Sequence, residues 1–202
     1  MPIAKSDATE PGPLRTALCQ IKASHPEPWW FFPEELSDHP AKESVHGFLG
    51  TGPIFIVGDQ PSPGTFHYNH LHRRAFYDLL KEECAGDCHL TDFYKRRGLC
   101  SELKNGFDPV RHLDFTEHIE IFRSEVELLR PSTILAMGRI AEDLLKKYTE
   151  YNFEYILHFG VIGHAQGERE TLLKRSEFEK SLRNAIRKAR QAAKGKSNPL
   201  DR

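Results

Sequence analysis

Short apolar runs alternate with segments of helical periodicity from residue 53 onward. Four runs predict β-strands: PIFIV (53–57), CHLTDFY (88–94), STILAMG (132–138) and FEYILHF (153–159). Four segments predict helices: HLHRRAFYDLLKEEC (70–84), DFTEHIEIFRSEVELLR (114–130), RIAEDLLKKY (139–148) and TLLKRSEFEKSLRNAIRKARQAA (171–193). In the second of these, Ile119, Phe122, Val126 and Leu129 recur on one face.

Strands that alternate with helices favour a parallel sheet that is covered on both faces. We therefore predict an α/β fold with three α/β/α layers and a central four-stranded parallel sheet. The α/β domain would span residues 50–191. An N-terminal arm (1–49) would contain a short helix near 14–21 and the aromatic segment WWFF (29–32), and residues 192–202 would form a polar tail.

Composition narrows the class of protein only slightly. The 202 residues include 39% hydrophobic and 28% charged residues, and the formal net charge is -1, so total charge indicates no polyanionic partner. The sequence lacks a secretory signal and a membrane-spanning run, which predicts a cytoplasmic protein. Cys84, Cys88 and His89 suggest a metal site, but no second close pair completes it, so we expect buried thiols and no metal.

Polar residues follow each predicted strand, and the carboxyl ends of parallel strands are where ligands bind in such folds. The first strand is followed by Gly58-Asp59-Gln60-Pro61, and the second ends in Thr91-Asp92 before YKRRG (94–98). The third leads to Gly138-Arg139, and the fourth to His158 and a loop that reaches His164. Phosphate-binding glycine motifs, a Walker lysine and a G-x-S-x-G elbow are absent from the sequence.

These segments, in this order, resemble motifs of the uracil-DNA glycosylase superfamily. IFIVGDQPSPG resembles the first motif, G-x-x-P, and HLTDFYKRRG resembles the strand that ends in the base-reading asparagine. PSTILAMGRIAEDLL is similar to the third strand and its helix, and YILHFGVIGHAQG stands where the family has its catalytic histidine loop. The resemblance covers residues 50 to 190 and implies a glycosylase-like fold.

The resemblance also implies roles for individual residues. Catalysis would use Asp59, Gln60 and His164, with His158 as the less favoured histidine because it lies inside the predicted strand. The implied base-binding residues are Gly58, Phe66, Tyr68 and Asp92. The implied DNA-binding residues are Ser62, Lys95, Arg96, Arg97 and Gln166. The basic residues from 187 to 196 would add non-specific attraction to phosphates.

The sequence departs from the family pattern at informative positions. Arg96 replaces a cysteine of the iron–sulfur branch, so no cluster is expected, and His-Pro-Ser becomes His164-Ala165-Gln166. Asp92 replaces the base-reading asparagine, and an ionised aspartate accepts hydrogen bonds but donates none. Asp92 would therefore be a neutral acid, or bind a base with an amino group, or be structural.

Three functions remain open at the sequence level. The first is a monomeric DNA glycosylase that uses no cofactor, acts on DNA and removes uracil or a related deaminated base. The second is a base- or abasic-site-binding module of the same fold with weakened catalysis. The third is an unrelated α/β enzyme that acts on a small molecule.

Overall fold

Four parallel strands form one sheet in the computed structural model, which describes residues 16–17, 20, 52–60, 79–80, 82–83, 88–94 and 113–196. The strands are β1 (Ile54–Gly58), β2 (Cys88–Asp92), β3 (Thr133–Met137) and β4 (Glu154–Ile156). Their order in the sheet is β2-β1-β3-β4. The register aligns Gly58 with Asp92 and Val57 with Ala136. The predicted four-stranded parallel sheet is confirmed.

The helices lie between and after these strands. They are α1 (Leu113–Leu129), α2 (Arg139–Tyr148), α3 (Gly160–Gly163) and α4 (Glu168–Lys196). Residues 79–80 and 82–83 are also helical, as are 16–17 and 20, which agrees with the predicted helices there as far as they are described. No helix in the described ranges is long and apolar enough to cross a membrane.

Each face of the sheet has its own apolar core, because side chains alternate along a strand. Phe55 and Val57 pack with α1 and α2, and the predicted α1 positions Ile119, Phe122, Val126 and Leu129 are all buried there. Ile54 and Ile56 pack on the other face, with α4 and with residues 79–80. Burial of each such side chain contributes about 1.5–3 kcal/mol. Helices therefore cover both faces, as the alternation predicts.

A buried polar cluster fixes β2 against α1. Thr91 Oγ1 donates a hydrogen bond of 2.8 Å to Glu125 Oε2, and His89 Nε2 lies 4.0 Å from the same oxygen. All three residues are almost completely buried. Cys88 lies in the core of the opposite face, so the adjacent Cys88 and His89 do not belong to one metal site.

The end of the chain differs from the sequence prediction in three places. β4 ends at Ile156, so the prediction that His158 lies inside the strand is wrong. The backbone N–H of Leu157 donates to Ser181 Oγ at 3.1 Å instead of continuing the ladder. Residues 160–163, expected to be a loop, form α3, and α4 continues to Lys196, which includes residues 192–196 of the predicted tail.

Replacement of Thr91 by valine tests the buried cluster. The change keeps the shape of the side chain but removes the hydroxyl that donates to the Glu125 carboxylate, so we expect the free energy of unfolding to fall by about 1–3 kcal/mol. Urea denaturation measures this loss. Thr116→Val, at an exposed position of α1, is the control. Equal stability of Thr91→Val and the wild type would show that the bond contributes nothing.

Candidate functional site

The crevice for a ligand is expected where the strand order reverses. The chain passes from β1 to β2 on one side and later to β3 on the other side of β1. The switch point therefore lies between β1 and β3, at the carboxyl ends of the strands. Gly58, Asp92 and Gly138 stand at or directly after three of these strand ends.

Gly58 makes room for the carboxylate of Asp92. A Cβ atom on Gly58 would overlap Asp92 Oδ1, and it would lie 3.5 Å from Met137 Cε. Side chains from β2 and β3 therefore meet over the last residue of β1. A glycine at this position allows an acidic side chain to lie directly over the end of the central strand.

The backbone of Asp59 is fixed by the segment that follows β2. The N–H groups of Phe93 and Tyr94 donate to the carbonyls of Gly58 and Asp59 at 2.9 and 3.0 Å. Both aromatic side chains are fully buried, and the ring of Phe93 packs 5.3 Å from that of Phe122. Asp59 and Gln60 themselves are only partly buried. These hydrogen bonds therefore hold the backbone that carries both side chains at the carboxyl end of β1.

His158 packs against the backbone at the end of β3. Gly138 has φ +90° and ψ 166°, a conformation that is essentially restricted to glycine. A Cβ atom there would lie 2.9 Å from His158 Cβ and 3.4 Å from its Cγ. The N–H of Gly138 donates to the carbonyl of Ile156 at 2.9 Å. The turn from β3 into α2 therefore forms the surface on which His158 rests.

The Nδ1 atom of His158 accepts a hydrogen bond from the backbone. Its Nδ1 accepts a hydrogen bond of 2.9 Å from the backbone N–H of Gly160, and the imidazole stacks on Phe159 with 4.3 Å between the centroids. Because an accepting nitrogen carries no proton, this hydrogen bond assigns the proton of the neutral ring to Nε2. The side chain is partly buried. The neutral form of His158 therefore carries its N–H at Nε2.

His164 and Gln166 lie further along the chain. His164 is exposed and directly follows α3, and Gln166 is exposed before α4. The backbone N–H of Gln166 donates to Glu170 Oε2 at 2.7 Å, which stabilises the first turn of α4. Of the two candidate histidines, His158 is the one in contact with a strand end.

An ion-pair chain that the sequence analysis did not single out begins at the carboxyl end of β3. Arg139 pairs with Glu142 at 2.6 Å, Glu142 pairs with Lys146 at 2.7 Å, and the Arg139 guanidinium lies over the ring of Tyr155 at 4.6 Å. Hydrogen bonds from Lys146 and then Arg139 lower the pKa of Glu142. In the sequence, the spacing of these charges at i,i+3 and i,i+4 predicts ion pairs on one face of a helix.

Six predicted site residues lie outside the described residues. They are Ser62, Phe66, Tyr68, Lys95, Arg96 and Arg97. Within the described ranges, no three His, Cys, Asp or Glu side chains are arranged to hold a metal ion. In comparisons with known proteins, the chain matches no family model, and no curated protein matches it significantly.

Replacement of Gly138 by alanine tests the contact between His158 and the end of β3. The new methyl group would collide with His158 Cβ, and the backbone conformation itself would cost about 1–3 kcal/mol. We expect a lower free energy of unfolding and a shift of the His158 imidazole signals in NMR spectra. Gly167→Ala is the matched control, because Gly167 has φ +86° but no atom within 4 Å of its Cβ position. Unchanged His158 signals in Gly138→Ala would contradict the contact.

The lowered pKa of Glu142 makes the stability of the protein dependent on pH. A carboxyl whose pKa is lower in the folded state stabilises the fold fully at a pH above its ordinary pKa of about 4.5, and this stabilisation is lost as the pH falls through the folded-state pKa. Glu142→Gln should therefore melt below the wild type at neutral pH and match it in acid. A difference in melting temperature that persists unchanged in acid would contradict the assignment.

Proposed function

We propose that the protein is a DNA glycosylase of the uracil-DNA glycosylase type, which flips a uracil or related deaminated base out of DNA and removes it by hydrolysis. One observation supports this most. Two acidic residues, Asp59 and Asp92, and an N–H donor on His158 occur at the carboxyl ends of neighbouring parallel strands, around the switch point. The order of motifs along the chain supports the same reaction.

The proposed reaction has one bond to break and one to form. The bond between the base nitrogen and the sugar C1′ breaks, its electron pair leaves with the base, and the sugar becomes cationic. The oxygen of a water molecule then bonds to C1′, and the proton that this water loses neutralises the anionic base. Negative charge therefore grows on the base while positive charge grows on the sugar. A carboxylate near the sugar and a donor near the base oxygen both stabilise this transition state.

Asp59 and Gln60 suit the sugar side of this reaction. An ionised Asp59 would stabilise the cationic sugar and orient the attacking water. Gln60 can hold the water through its amide but is too weak a base to take its proton. The hydrogen bond from Tyr94 N–H to the Asp59 carbonyl keeps this part of the backbone in place, so little reorganisation would be needed during the reaction.

His158 suits the base side better than His164 does. Its Nε2–H can donate to a base oxygen as negative charge develops, because its Nδ1 is held by the N–H of Gly160. His158 follows β4 by two residues, and its contact with Gly138 holds it against the end of β3. His164 is exposed after α3 and has no comparable support. We therefore propose that His158, and not His164, donates to the base oxygen.

Asp92 would determine which base is accepted. An ionised Asp92 can accept from N3–H of uracil but would repel O4, whereas a neutral carboxyl could also donate to O4. Asp92→Asn provides both an acceptor and a donor without any change of charge with pH. On this proposal Asp92→Asn keeps or increases the release of uracil, and a release of cytosine by the wild type would instead indicate pairing with an amino group.

Base release from modified oligonucleotides tests the proposal. Single- and double-stranded substrates with uracil, hypoxanthine, xanthine or cytosine are incubated with the protein and then treated with alkali, which breaks the strand at abasic sites. We expect release of a deaminated base, and a loss of about 10²–10³-fold in His158→Ala and in Asp59→Asn, because each removes one electrostatic contact to the transition state. His164→Ala and Asp143→Asn, both at exposed positions, are the controls and should keep near wild-type rates.

The outcomes separate the candidate functions. No release of any base would exclude a glycosylase, and tight binding of uracil-containing DNA in that case would favour the binding module of the same fold. Full activity in both His158→Ala and Asp59→Asn would show that the reaction occurs elsewhere in the protein. Loss in His164→Ala but not in His158→Ala would reverse the choice of histidine.

A further inference from the structure

The second half of α4 is the most basic stretch of the described chain. From Lys180 to Lys196 the sequence has seven lysines and arginines and no acidic residue, although the whole chain has 28 basic and 29 acidic residues. Like charges at i,i+4 on a helix repel each other. Some of these positive charges are offset by carboxylates or carbonyls of neighbouring elements, and others are not.

Three of the basic side chains connect α4 to neighbouring elements. Arg183 donates to Glu83 at 2.6 Å and to Glu82 at 3.1 Å. Arg190 donates to the backbone carbonyl of Glu83, and Lys188 lies 3.7 Å from Glu154 at the start of β4. These contacts explain the basic character of three positions by the packing of α4 against helical residues 82–83 and against β4.

Arg187 has no such explanation. Its guanidinium donates to Asn184 Oδ1 at 2.9 Å, within its own helix, and in the described part of the chain it forms no ion pair with a carboxylate. It is exposed, and it lies one turn from both Arg183 and Arg190. A fixed but uncompensated guanidinium between two others is an arrangement that suits an external anion.

These residues form a groove with the chemistry of an anion site. Its volume is about 400 Å³, and its lining residues are Glu83, Arg183, Asn184, Arg187, Arg190 and Gln191. Three guanidinium groups and two side-chain amides supply N–H donors, while the one carboxylate is already engaged by Arg183. Arginine forms paired hydrogen bonds with two oxygens of one phosphate, so a phosphate group matches the donors of this groove.

The groove lies away from the candidate active site. α4 runs antiparallel to β4, because Ser181 contacts Leu157 just after the strand and Lys188 contacts Glu154 at its start. With a rise of about 1.5 Å per residue, Arg187 is about 9 Å further than Ser181 from the carboxyl edge of the sheet. A phosphate bound here would therefore belong to a different part of a ligand from the one at the strand ends.

We propose that this groove binds the phosphodiester backbone of nucleic acid, as a second contact surface apart from the carboxyl edge. The inference that an anion binds here rests on the groove alone. The choice of nucleic acid over an acidic polypeptide rests on the proposed function. Binding through released counterions has a measurable signature. For single strands, each neutralised phosphate adds about 0.7 to the slope of log K against log salt concentration.

The salt dependence of binding in an Arg187→Gln variant tests this surface. The probe is an undamaged, fluorescently labelled single-stranded oligonucleotide, and anisotropy gives the affinity over a series of salt concentrations. Arg187→Gln should reduce the slope by about 0.7, and Arg187→Lys should restore it. Arg123→Gln is the matched control: it removes the same charge on α1, on the other face of the sheet, where Arg123 pairs with Glu120 at 2.9 Å. Its slope should stay near that of the wild type.

Three results would overturn the proposal: no binding of nucleic acid by the wild type, an unchanged slope in Arg187→Gln, or displacement of the oligonucleotide by polyglutamate as effectively as by unlabelled DNA. Base release from a uracil oligonucleotide is measured in parallel. A reduced slope without base release would support phosphate binding in the groove and contradict the proposed glycosylase function. Base release with an unchanged slope would contradict phosphate binding in the groove and would still support the proposed glycosylase function.

Discussion

The pairing of β1 with strands on both sides is the constraint on which the rest of the structure depends. All five residues of β1 are buried, and the strand is hydrogen-bonded in parallel to β2 and to β3. Because the chain leaves β1 in one direction and later returns on its other side, the end of this strand becomes the switch point of the sheet. The ends of β2 and β3 then lie on either side of Gly58.

Glycines convert this edge into a surface that can hold polar side chains. The missing side chain of Gly58 leaves the space that Asp92 Oδ1 occupies, and the left-handed backbone of Gly138 allows His158 to pack against it. Gly160 approaches His158 Nδ1 closely enough to donate its N–H. The same three positions therefore determine both the local backbone and the donor and acceptor pattern of the edge. A methyl group at any of them would displace a candidate functional side chain.

The sequence predicted the elements whose signals are local. The helical periodicity of α1 and α2 and the apolar runs of β1, β2 and β3 depend on neighbouring residues, and each element lies within a residue or two of the structural bounds. The end of β4 could not be predicted, because Leu157 leaves the ladder to bond Ser181, which is 24 residues away in sequence. The position of His158 could not be predicted for the same reason. The last helix was expected to end at residue 193, whereas α4 continues to Lys196.

The imidazole signals of the two candidate histidines provide the most direct test of the proposed site. Isotope-labelled protein is titrated with an oligonucleotide that contains an abasic site, the expected product, and the histidine nitrogens are followed by NMR, with His158→Ala and His164→Ala to assign them. A ligand at the carboxyl edge should shift Nε2 of His158, which borders the end of β3 through Gly138, and leave His164 unchanged. Shifts confined to His164, or no shift of either histidine at saturating oligonucleotide, would contradict a nucleic-acid site at this edge of the sheet.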